Sequence, residues 1–287
     1  MPALSEVISA LEDLWPPGRA EQWDAVGTVC GDPDAEVTTV LFAVDPVRRV
    51  ADEAVALGAQ LLVTHHPLYL RGTTTVSAGT FKGRVVHTLI RNGVALHVAH
   101  TNADRADPGV SDALAGALGL RVLGPLVPDP DDPAGRRGLG RIGELDRPVP
   151  LAEFARTVAA ALPATAQGVR TAGDPDGTVR RVAVCGGSGD GLFAEVRAAD
   201  VDAYVTADLR HHPASEAREH SPLALVDAAH FATEWPWCEQ AAAQLDALSD
   251  RNGWGLRTHV SRTVTDPWTA HAAPSATAEP HTTGAPN

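Results

Sequence analysis

Paired cysteines are missing from this sequence. It contains three cysteines, Cys30, Cys185 and Cys238, which are widely spaced, odd in number and form no Cys-x-x-Cys motif. A disulfide framework is therefore excluded, and a structural zinc site built from thiolates is disfavoured. Such sparse, unpaired cysteines fit a reducing compartment, so we expect a cytoplasmic protein.

Long hydrophobic runs and an excess of positive charge are also missing. No run of about 18 apolar residues occurs, so the sequence predicts no membrane span. The 23 Lys and Arg residues are outnumbered by 36 Asp and Glu residues, which gives a net charge of −13. This balance argues against nucleic acid or an anionic membrane surface as a partner. The N-terminus differs from a secretion signal, because it lacks a basic start and carries Glu6, Glu12 and Asp13.

The composition that remains is that of a folded α/β protein. Of the 287 residues, 44% are hydrophobic and 21% are charged, which suffices for one large domain or two smaller ones. A β-rich run (Val37 to Asp45) precedes a helical pattern between Pro46 and Gly58, and the strand-like "AQLLVT" follows. This βαβ order favours a mainly parallel sheet. The alternation recurs after the middle of the chain, in "RRVAVC", "LFAEVRAA" and "DAYVT".

Two stretches interrupt this alternation. The segment "VPDPDDPAGRRG" (Val127 to Gly138) is rich in Pro, Asp and Gly, which is typical of an exposed connection between two halves. We therefore predict two α/β domains, residues 1–126 and 127–265, with mainly parallel or mixed sheets flanked by helices. Residues 266–287 are rich in Ala, Pro, Thr and Ser without periodicity. They predict a disordered tail in which His271 and His281 are bystanders rather than ligands.

Histidines and carboxylates follow the predicted strands directly. In an open α/β sheet, ligands bind beyond the carboxyl ends of the strands, so residues at four such ends can meet although they are distant in sequence. Imidazole and carboxylate ligands suit Zn, Mn, Fe, Co or Ni. The residues at these ends are His65 with His66, His100 with Asp104, Asp208 with His211 and His212, and His230 with Glu234.

The spacing of these residues favours two metal ions. His230 and Glu234 lie four apart, so both point the same way on a helical turn. His65 and His66 face opposite sides of an extended backbone, so each can serve a different ion. Two metals about 3.5–4 Å apart are a known arrangement for hydrolysis. Taken singly, each pattern is more often a surface feature, either a histidine pair in a loop or a hydrogen-bonded pair on a helix.

Several blocks of the sequence resemble the signature of a known family. "THHPL", "HTNAD", "VTADLRHH" and "DAAHFATEWP" occur in the order typical of the dinuclear-metal hexameric family. This family is also called Nif3-like, and its members are often labelled type 2 homologues of GTP cyclohydrolase I. "EQWDAVGTVCGDP", "GLGRIGEL", "VAVCGGSGDGL" and "SRTVTDPW" resemble further family blocks. The resemblance covers nearly the whole chain.

The resemblance implies a fold, an assembly and a metal centre. The family has a two-domain α/β fold, and its protomers assemble into a toroidal homohexamer with the metal sites facing an internal cavity. We expect the metal site of this chain to lie between its two domains. Some relatives carry an inserted domain in mid-chain, which we expect this chain to lack. The family pattern implies two divalent ions per chain, bridged by Glu234, and it assigns as metal ligands His65, His66, Asp104, His230 and Glu234.

Three positions depart from the family pattern. Ala207 stands where the family has glycine, Ala25 where asparagine is usual and Trp268 where phenylalanine is usual. None of the three is a predicted ligand. If the glycine needs a positive φ, however, alanine would alter that loop.

Other polar residues keep two interpretations. His100 either orients a metal ligand without binding the metal itself and takes part in acid–base chemistry, or it packs at a strand end. His212 is either an acid, a base or a phosphate contact, or an exposed loop residue. The "GGSGDG" segment (Gly186 to Gly191) forms a tight turn or presents N–H groups to an anion, and it lacks the lysine of a P-loop and the dinucleotide fingerprint.

The resemblance predicts a metal-dependent hydrolase acting on a small molecule, with a nucleotide as the candidate. Two ions sharing Glu234 would lower the pKa of a water from about 15.7 toward about 7, and the resulting bridging hydroxide would attack an electrophilic carbon or phosphorus. By the family label, the reaction would open the purine imidazole ring of GTP. The same ligands suit a non-catalytic hexamer that stores or delivers metal or serves as a regulatory scaffold. A metallophosphoesterase is disfavoured, because its "D-x-H", "G-N-H" and "G-H-x-H" blocks are absent.

Overall fold

Two β-sheets flanked by helices form the framework of the molecule. The computed structural model describes residues 1–273, and the following elements lie within this range. The strands are β1 (Gly27–Cys30), β2 (Thr39–Ala43), β3 (Leu61–Thr64), β4 (Ala95–Val98), β5 (Arg121–Pro128), β6 (Gly138–Pro150), β7 (Arg170–Ala172), β8 (Thr178–Ser188), β9 (Ala203–Ala207), β10 (Ala224–Ala228) and β11 (Arg257–Val260). The helices are α1 (Leu4–Leu14), α2 (Arg48–Ala56), α3 (Phe81–Arg91), α4 (Thr101–Asp104), α5 (Val110–Ala117), α6 (Leu151–Ala161), α7 (Phe193–Ala198), α8 (His211–His220) and α9 (His230–Asn252).

The first sheet has the strand order β1-β4-β3-β2-β11. Strands β4, β3, β2 and β11 run parallel, and β1 is antiparallel to β4 at the edge. Every residue of β2, β3 and β4 is buried, as expected for parallel strands covered on both faces. Because these three strands run parallel, their carboxyl ends lie at the same edge of the sheet.

The second sheet has the strand order β5-β6-β8-β9-β10-β7. Strands β8, β9 and β10 run parallel, whereas β5, β6 and β7 pair antiparallel with their neighbours. Strands β9 and β10 are buried throughout. The predicted fold class, with two α/β units built on mixed sheets flanked by helices, is therefore confirmed.

Helix α9 lies against both sheets. It packs on β2 and β11 of the first sheet and on β8 and β9 of the second. Its residues Trp237 and Leu245 share one buried hydrophobic cluster with Phe42 of the first sheet and Val205 of the second. Helix α9 is thus held in place by strands of both sheets.

The Pro- and Asp-rich segment does not connect the two sheets. Residues 129–137 form the loop between β5 and β6, which are antiparallel neighbours in the second sheet. The Asp132 carboxylate accepts hydrogen bonds from the backbone N–H groups of Arg136 and Arg137, each at 2.7 Å. The composition of the segment predicts a loop correctly, but it does not show that the flanking strands belong to one sheet.

The path of the chain between the sheets differs in detail from the predicted ranges. Strand β5 begins the second sheet at Arg121, and β11, late in the chain, returns to the first sheet beside β2. The domain ranges 1–126 and 127–265 stay a prediction.

The end of the chain is described only in part. Residues 266–273 have no regular secondary structure; Asp266 is buried and His271 is exposed. The rest of the predicted tail, including His281, lies outside the described residues. None of the helices within residues 1–273 has the length and apolar character that crossing a membrane requires.

Candidate metal centre

The side chain of Glu234 is surrounded by residues that follow β3, β4 and β10 and that belong to helices α4 and α9. His65 and His66 follow β3 directly, and their backbone N–H groups donate to Ala43 and Val44 at 3.1 and 2.9 Å, so the pairing with β2 continues past the strand. His230 is the first residue of α9, and a single residue, Ala229, separates this helix from β10. These two strand ends belong to different sheets, and α9, which packs on both sheets, brings the side chains together.

The five predicted ligands lie within a few ångströms of one another. Glu234 Oε1 lies 3.5 Å from His65 Nε2 and 3.0 Å from His230 Nε2, and Oε2 lies 3.0 Å from His66 Nε2. His65 Nε2 is also 3.7 Å from Asp104 Oδ1. The adjacent histidines that follow β3 thus reach different oxygens of one carboxylate at a point where the backbone bends.

The imidazoles of His65, His66, His100 and His230 form a cluster with Glu234 and Asp104. Each imidazole makes a hydrogen bond through its Nδ1 atom, on the side of the ring away from Nε2. Such contacts fix the tautomer and direct the Nε2 lone pair of a histidine toward a metal. The acceptors are the Ala99 carbonyl for His65 (3.0 Å), Asp45 for His66 (2.7 Å), Asp24 for His100 (2.8 Å) and Asp208 for His230 (2.7 Å).

The sequence singled out Asp208 only as one of the residues at strand ends, and it indicated no role for Asp24 or Asp45. Asp208 directly follows β9, and Asp45 lies two residues after the end of β2. Both therefore show the signal that identified the histidines, a polar residue close to the carboxyl end of a buried strand. Asp24 lies within the "EQWDAVG" block. Its Oδ2 atom also accepts hydrogen bonds from the N–H and hydroxyl of Thr101, at 3.1 and 2.5 Å.

The electrostatics of the cluster centre on Glu234. Burial raises the pKa of its carboxyl, but His66, His230 and His65 outweigh burial and hold this pKa well below the usual value. Burial lowers the pKa of His66, whereas Glu234 and Asp45 raise it to about 10. Glu234 raises the pKa of His230 to about 11 against the effect of burial. A buried carboxylate in this position requires positive charge nearby, and protons compete with metal cations for the same nitrogen atoms.

Two further groups respond mainly to burial. Burial raises the pKa of Asp104 to about 6, although His65 lowers it. Burial and then His65 lower the pKa of His100 to about 4, although Asp24 raises it. His100 is therefore neutral at pH 7 and retains a free nitrogen lone pair.

The local geometry fits cations of the predicted kind. Ligand atoms of His66, His230 and Glu234 lie within 4.8 Å of one another, as do those of His65, His66 and His100. Glu234 Oε2 is buried and, among residues 1–273, makes no hydrogen bond of good geometry. Gly187, at a φ of +69°, leaves the necessary space, because a Cβ there would lie 2.4 Å from Glu234 Oε1. Nitrogen and carboxylate oxygen are suitable ligands for Zn, Mn, Fe, Co or Ni.

Two cavities reach the cluster. The first, of about 590 Å³, exposes His100, Asp104, His230 and Glu234 and has Trp23 on its wall. The second, of about 280 Å³, reaches His66 and His230 and is bordered by Asp45, Asp208 and residues 265–268. Among the described residues, the two cavities have only His230 in common.

Comparisons with known proteins identify the family of this chain. A family model described as Duf34/NIF3 (NGG1p interacting factor 3) matches residues 2–267. This chain belongs to the DUF34/NIF3 family. The predicted family resemblance is thereby confirmed.

Relatives within the DUF34/NIF3 family match along most of their length. The chain is 72% identical to a Streptomyces coelicolor protein named "GTP cyclohydrolase 1 type 2 homolog", covering 100% of both chains. A Mycobacterium tuberculosis protein of the same name is 41% identical, covering 92% of this chain and 96% of the relative. A solved Bacillus cereus protein related to NIF3 is 26% identical, with a TM-score of 0.86, and covers 93% of this chain and 98% of that chain.

Ala207, which stands where the DUF34/NIF3 pattern has glycine, needs no strained backbone conformation. Ala207 is a buried strand residue, and the positive φ of this turn, 56°, falls on Asp208. Asp208 uses this conformation while its carboxylate accepts the hydrogen bond from His230. The glycine turn lies nearby, and the backbone N–H of Gly187 donates to the Thr233 hydroxyl at 2.9 Å rather than facing an anion.

His212 and Trp237 differ in how they lie relative to the metal-binding residues. His212 is exposed on α8, and within residues 1–273 no hydrogen bond or ion pair joins it to the cluster. Trp237 is fully buried, with its ring centroid 5.3 Å from that of His65 and 5.2 Å from that of Trp15. Trp237 thus packs beside the cluster.

Proposed function

We propose that this chain is a metal-dependent hydrolase that holds two divalent cations around Glu234. One observation carries the proposal: both oxygens of a buried carboxylate face imidazole Nε2 atoms whose Nδ1 atoms are already bound by an acceptor. A structural hydrogen-bond network would not need three histidines oriented in this way. Metal-binding histidines, in contrast, almost always have such an acceptor behind them.

The ligands divide into two groups that share Glu234. His65 and Asp104 would hold one cation, because their ligand atoms lie 3.7 Å apart on one side of the carboxylate. His66 and His230 would hold the other, since both belong with Glu234 to one compact group. Asp45 and Asp208 keep these two imidazoles in a single orientation.

When bound, a pair of divalent cations supplies Lewis acidity, which polarises an electrophilic carbon or phosphorus and acidifies water. Glu234 and Asp104 balance the positive charge of the site. His100 lines the larger cavity and can accept or return a proton at Nε2, because Asp24 holds its Nδ1. We assign acid–base chemistry to His100 and find no contact that supports it for His212.

The larger cavity is where a substrate would bind. Its volume of about 590 Å³ falls within the range of small-molecule sites, roughly 300–1,000 Å³. The relatives named "GTP cyclohydrolase 1 type 2 homolog" support a nucleotide substrate and a ring-opening hydrolysis of GTP. The family resemblance also supports assembly into a homohexameric toroid.

The test combines metal analysis with a substrate panel. The protein is purified without chelator, its metal content is measured by atomic emission, and it is assayed with nucleotides and phosphoesters. Glu234→Ala removes the shared carboxylate, and Glu239→Ala, at an exposed position on the same helix, is the matched control. We expect about two ions per chain and turnover that is lost only in Glu234→Ala. Bound metal without turnover on any substrate would favour metal storage, delivery or a scaffold instead.

A further inference from the structure

The smaller cavity has a lining that the proposed hydrolysis does not use. Three carboxylates border it, those of Asp45, Asp208 and Asp266, and it reaches the cluster at His66 and His230. Among the described residues, no lysine or arginine lines it. A cavity with this lining attracts cations, because its three carboxylates outnumber the two histidines, His66 and His230, that also line it.

Asp45 uses both of its carboxylate oxygens in hydrogen bonds, whereas Asp208 uses one. Asp45 accepts hydrogen bonds from His66 Nδ1 through Oδ1 and from the Thr265 hydroxyl through Oδ2. Asp208 binds His230 through Oδ2, and its side chain is 57% exposed. The second oxygen of Asp208 therefore remains accessible to a ligand at the mouth of the cavity.

Asp266 is the unusual member of the three. It is only 7% exposed, and among residues 1–273 its Oδ2 atom has no hydrogen-bond partner. Burial raises the pKa of Asp266, a backbone N–H of Trp268 opposes that effect, and Asp208 and Asp45 raise the pKa further. Burying a carboxylate oxygen without a partner is costly, and a cation would remove that cost.

We propose that this cavity is a cation entrance, which binds a divalent ion between Asp208 and Asp266 and delivers it to His66 and His230. The proposal rests on the proposed metal centre, since the ion is passed to its ligands. Carboxylate oxygens bind a hydrated divalent ion weakly and reversibly, whereas imidazole nitrogens bind Zn²⁺ or Co²⁺ more tightly. Metal and substrate would then reach the cluster from different cavities.

The experiment measures how fast the metal-free protein loads Co²⁺. Metal is removed with a chelator and the chelator is dialysed away. Co²⁺ is then mixed in by stopped flow at low salt, and its visible absorption reports occupation of the cluster. Asp266→Asn removes one charge, keeps the side-chain shape and touches none of the histidines. Asp34→Asn, at an exposed position, makes the same charge change elsewhere.

We expect Asp266→Asn to load about three- to tenfold more slowly than the unchanged protein, because local charge governs cation capture. The final number of tightly bound Co²⁺ ions per chain should stay the same, and Asp34→Asn should load at the normal rate. Added salt should reduce the difference between the proteins.

A second variant guards against a folding defect in the first. Gln167 borders the same cavity, and its amide nitrogen lies 3.4 Å from Asp227 Oδ2. In Gln167→Lys the new ammonium group can pair with Asp227 while it repels an entering cation, so loading should again slow. If both variants load Co²⁺ at the normal rate to the normal amount, the entrance is overturned and the metal centre stands. If the unchanged protein binds no Co²⁺ tightly, the metal centre fails and the entrance fails with it.

Discussion

Oδ1 of Asp45 lies 2.7 Å from Nδ1 of His66, and the same carboxylate accepts the hydroxyl of Thr265 through its other oxygen. A residue at the end of β2 thus fixes a histidine at the end of β3 and also the segment after β11. The imidazole of His66 is held in one orientation before any metal binds.

Asp45→Asn should therefore weaken metal binding without removing a metal ligand. Asparagine can still accept a hydrogen bond from Nδ1, but it loses the charge that makes the imidazole a stronger donor to metal. We expect the affinity for Zn²⁺ or Co²⁺ to fall by about 10- to 100-fold, measured by competition with a chromophoric chelator. Asp34→Asn is the matched control, and equal affinities for the two variants would contradict this role.

Gly187 is predicted to be intolerant of alanine. A Cβ at this position would lie 2.4 Å from Glu234 Oε1 and 3.0 Å from His230 Nε2, and φ is +69°. We expect Gly187→Ala to lose metal and to cost about 1–3 kcal/mol of stability from backbone strain, measured by metal analysis and urea unfolding. Gly191→Ala is the control, because among the described residues no atom lies within 4 Å of its added Cβ. Normal metal content in Gly187→Ala would contradict the assigned packing.

Removing divalent cations should destabilise the folded protein. A ligand that binds only the folded state at 100 times its Kd adds about 2.7 kcal/mol, so a chelator should lower the thermal midpoint of the unchanged protein. Glu234→Ala, which lacks the shared carboxylate, should unfold at the same temperature with and without chelator. If neither chelator nor added Zn²⁺ changes the thermal midpoint of the unchanged protein, a metal centre in this cluster is contradicted.

His97 should make the fold sensitive to acid independently of the cluster. Burial in β4 lowers its pKa from 6.5 to about 4, and its Nδ1 lies 3.2 Å from the Thr28 hydroxyl. Between these two values the unfolded chain binds the extra proton, so stability falls as the pH falls through this range and is unaffected above it. A pKa difference of this size corresponds to about 3 kcal/mol in total.

The check on His97 compares the pH dependence of two proteins. Urea unfolding of the unchanged protein and of His97→Gln is followed between about pH 7.5 and about pH 5. The unchanged protein should lose roughly 2 kcal/mol more stability over this range. Parallel pH profiles would show that His97 is not a buried neutral group in the folded protein.

Much of the fold and the cluster was accessible from the sequence because both have local signals. Strands β2, β3 and β4 are short apolar runs, and buried parallel strands must be apolar on both faces. His65 and His66 stand out because they follow such a run immediately. The strand-end rule and the four-residue spacing of His230 and Glu234 single out these side chains, but the sequence does not show that β3 and β10 lie in different sheets.

The remaining features depend on pairings between distant residues. Asp24 and His100 are 76 residues apart in sequence, and no spacing rule relates them. Strand β11 adds to the first sheet beside β2 although most of the chain lies between them. The loop between β5 and β6 has the composition of an interdomain connection, and only strand pairing shows that it closes a hairpin.

The position of Trp237 gives the protein an optical property. This indole is sealed from water, and its ring centroid lies 5.3 Å from that of His65 and 5.2 Å from that of Trp15. A change in the charge carried by the neighbouring imidazole alters the electric field across the indole and hence its fluorescence. The fluorescence of Trp237 should therefore respond when a proton or a metal ion binds to His65.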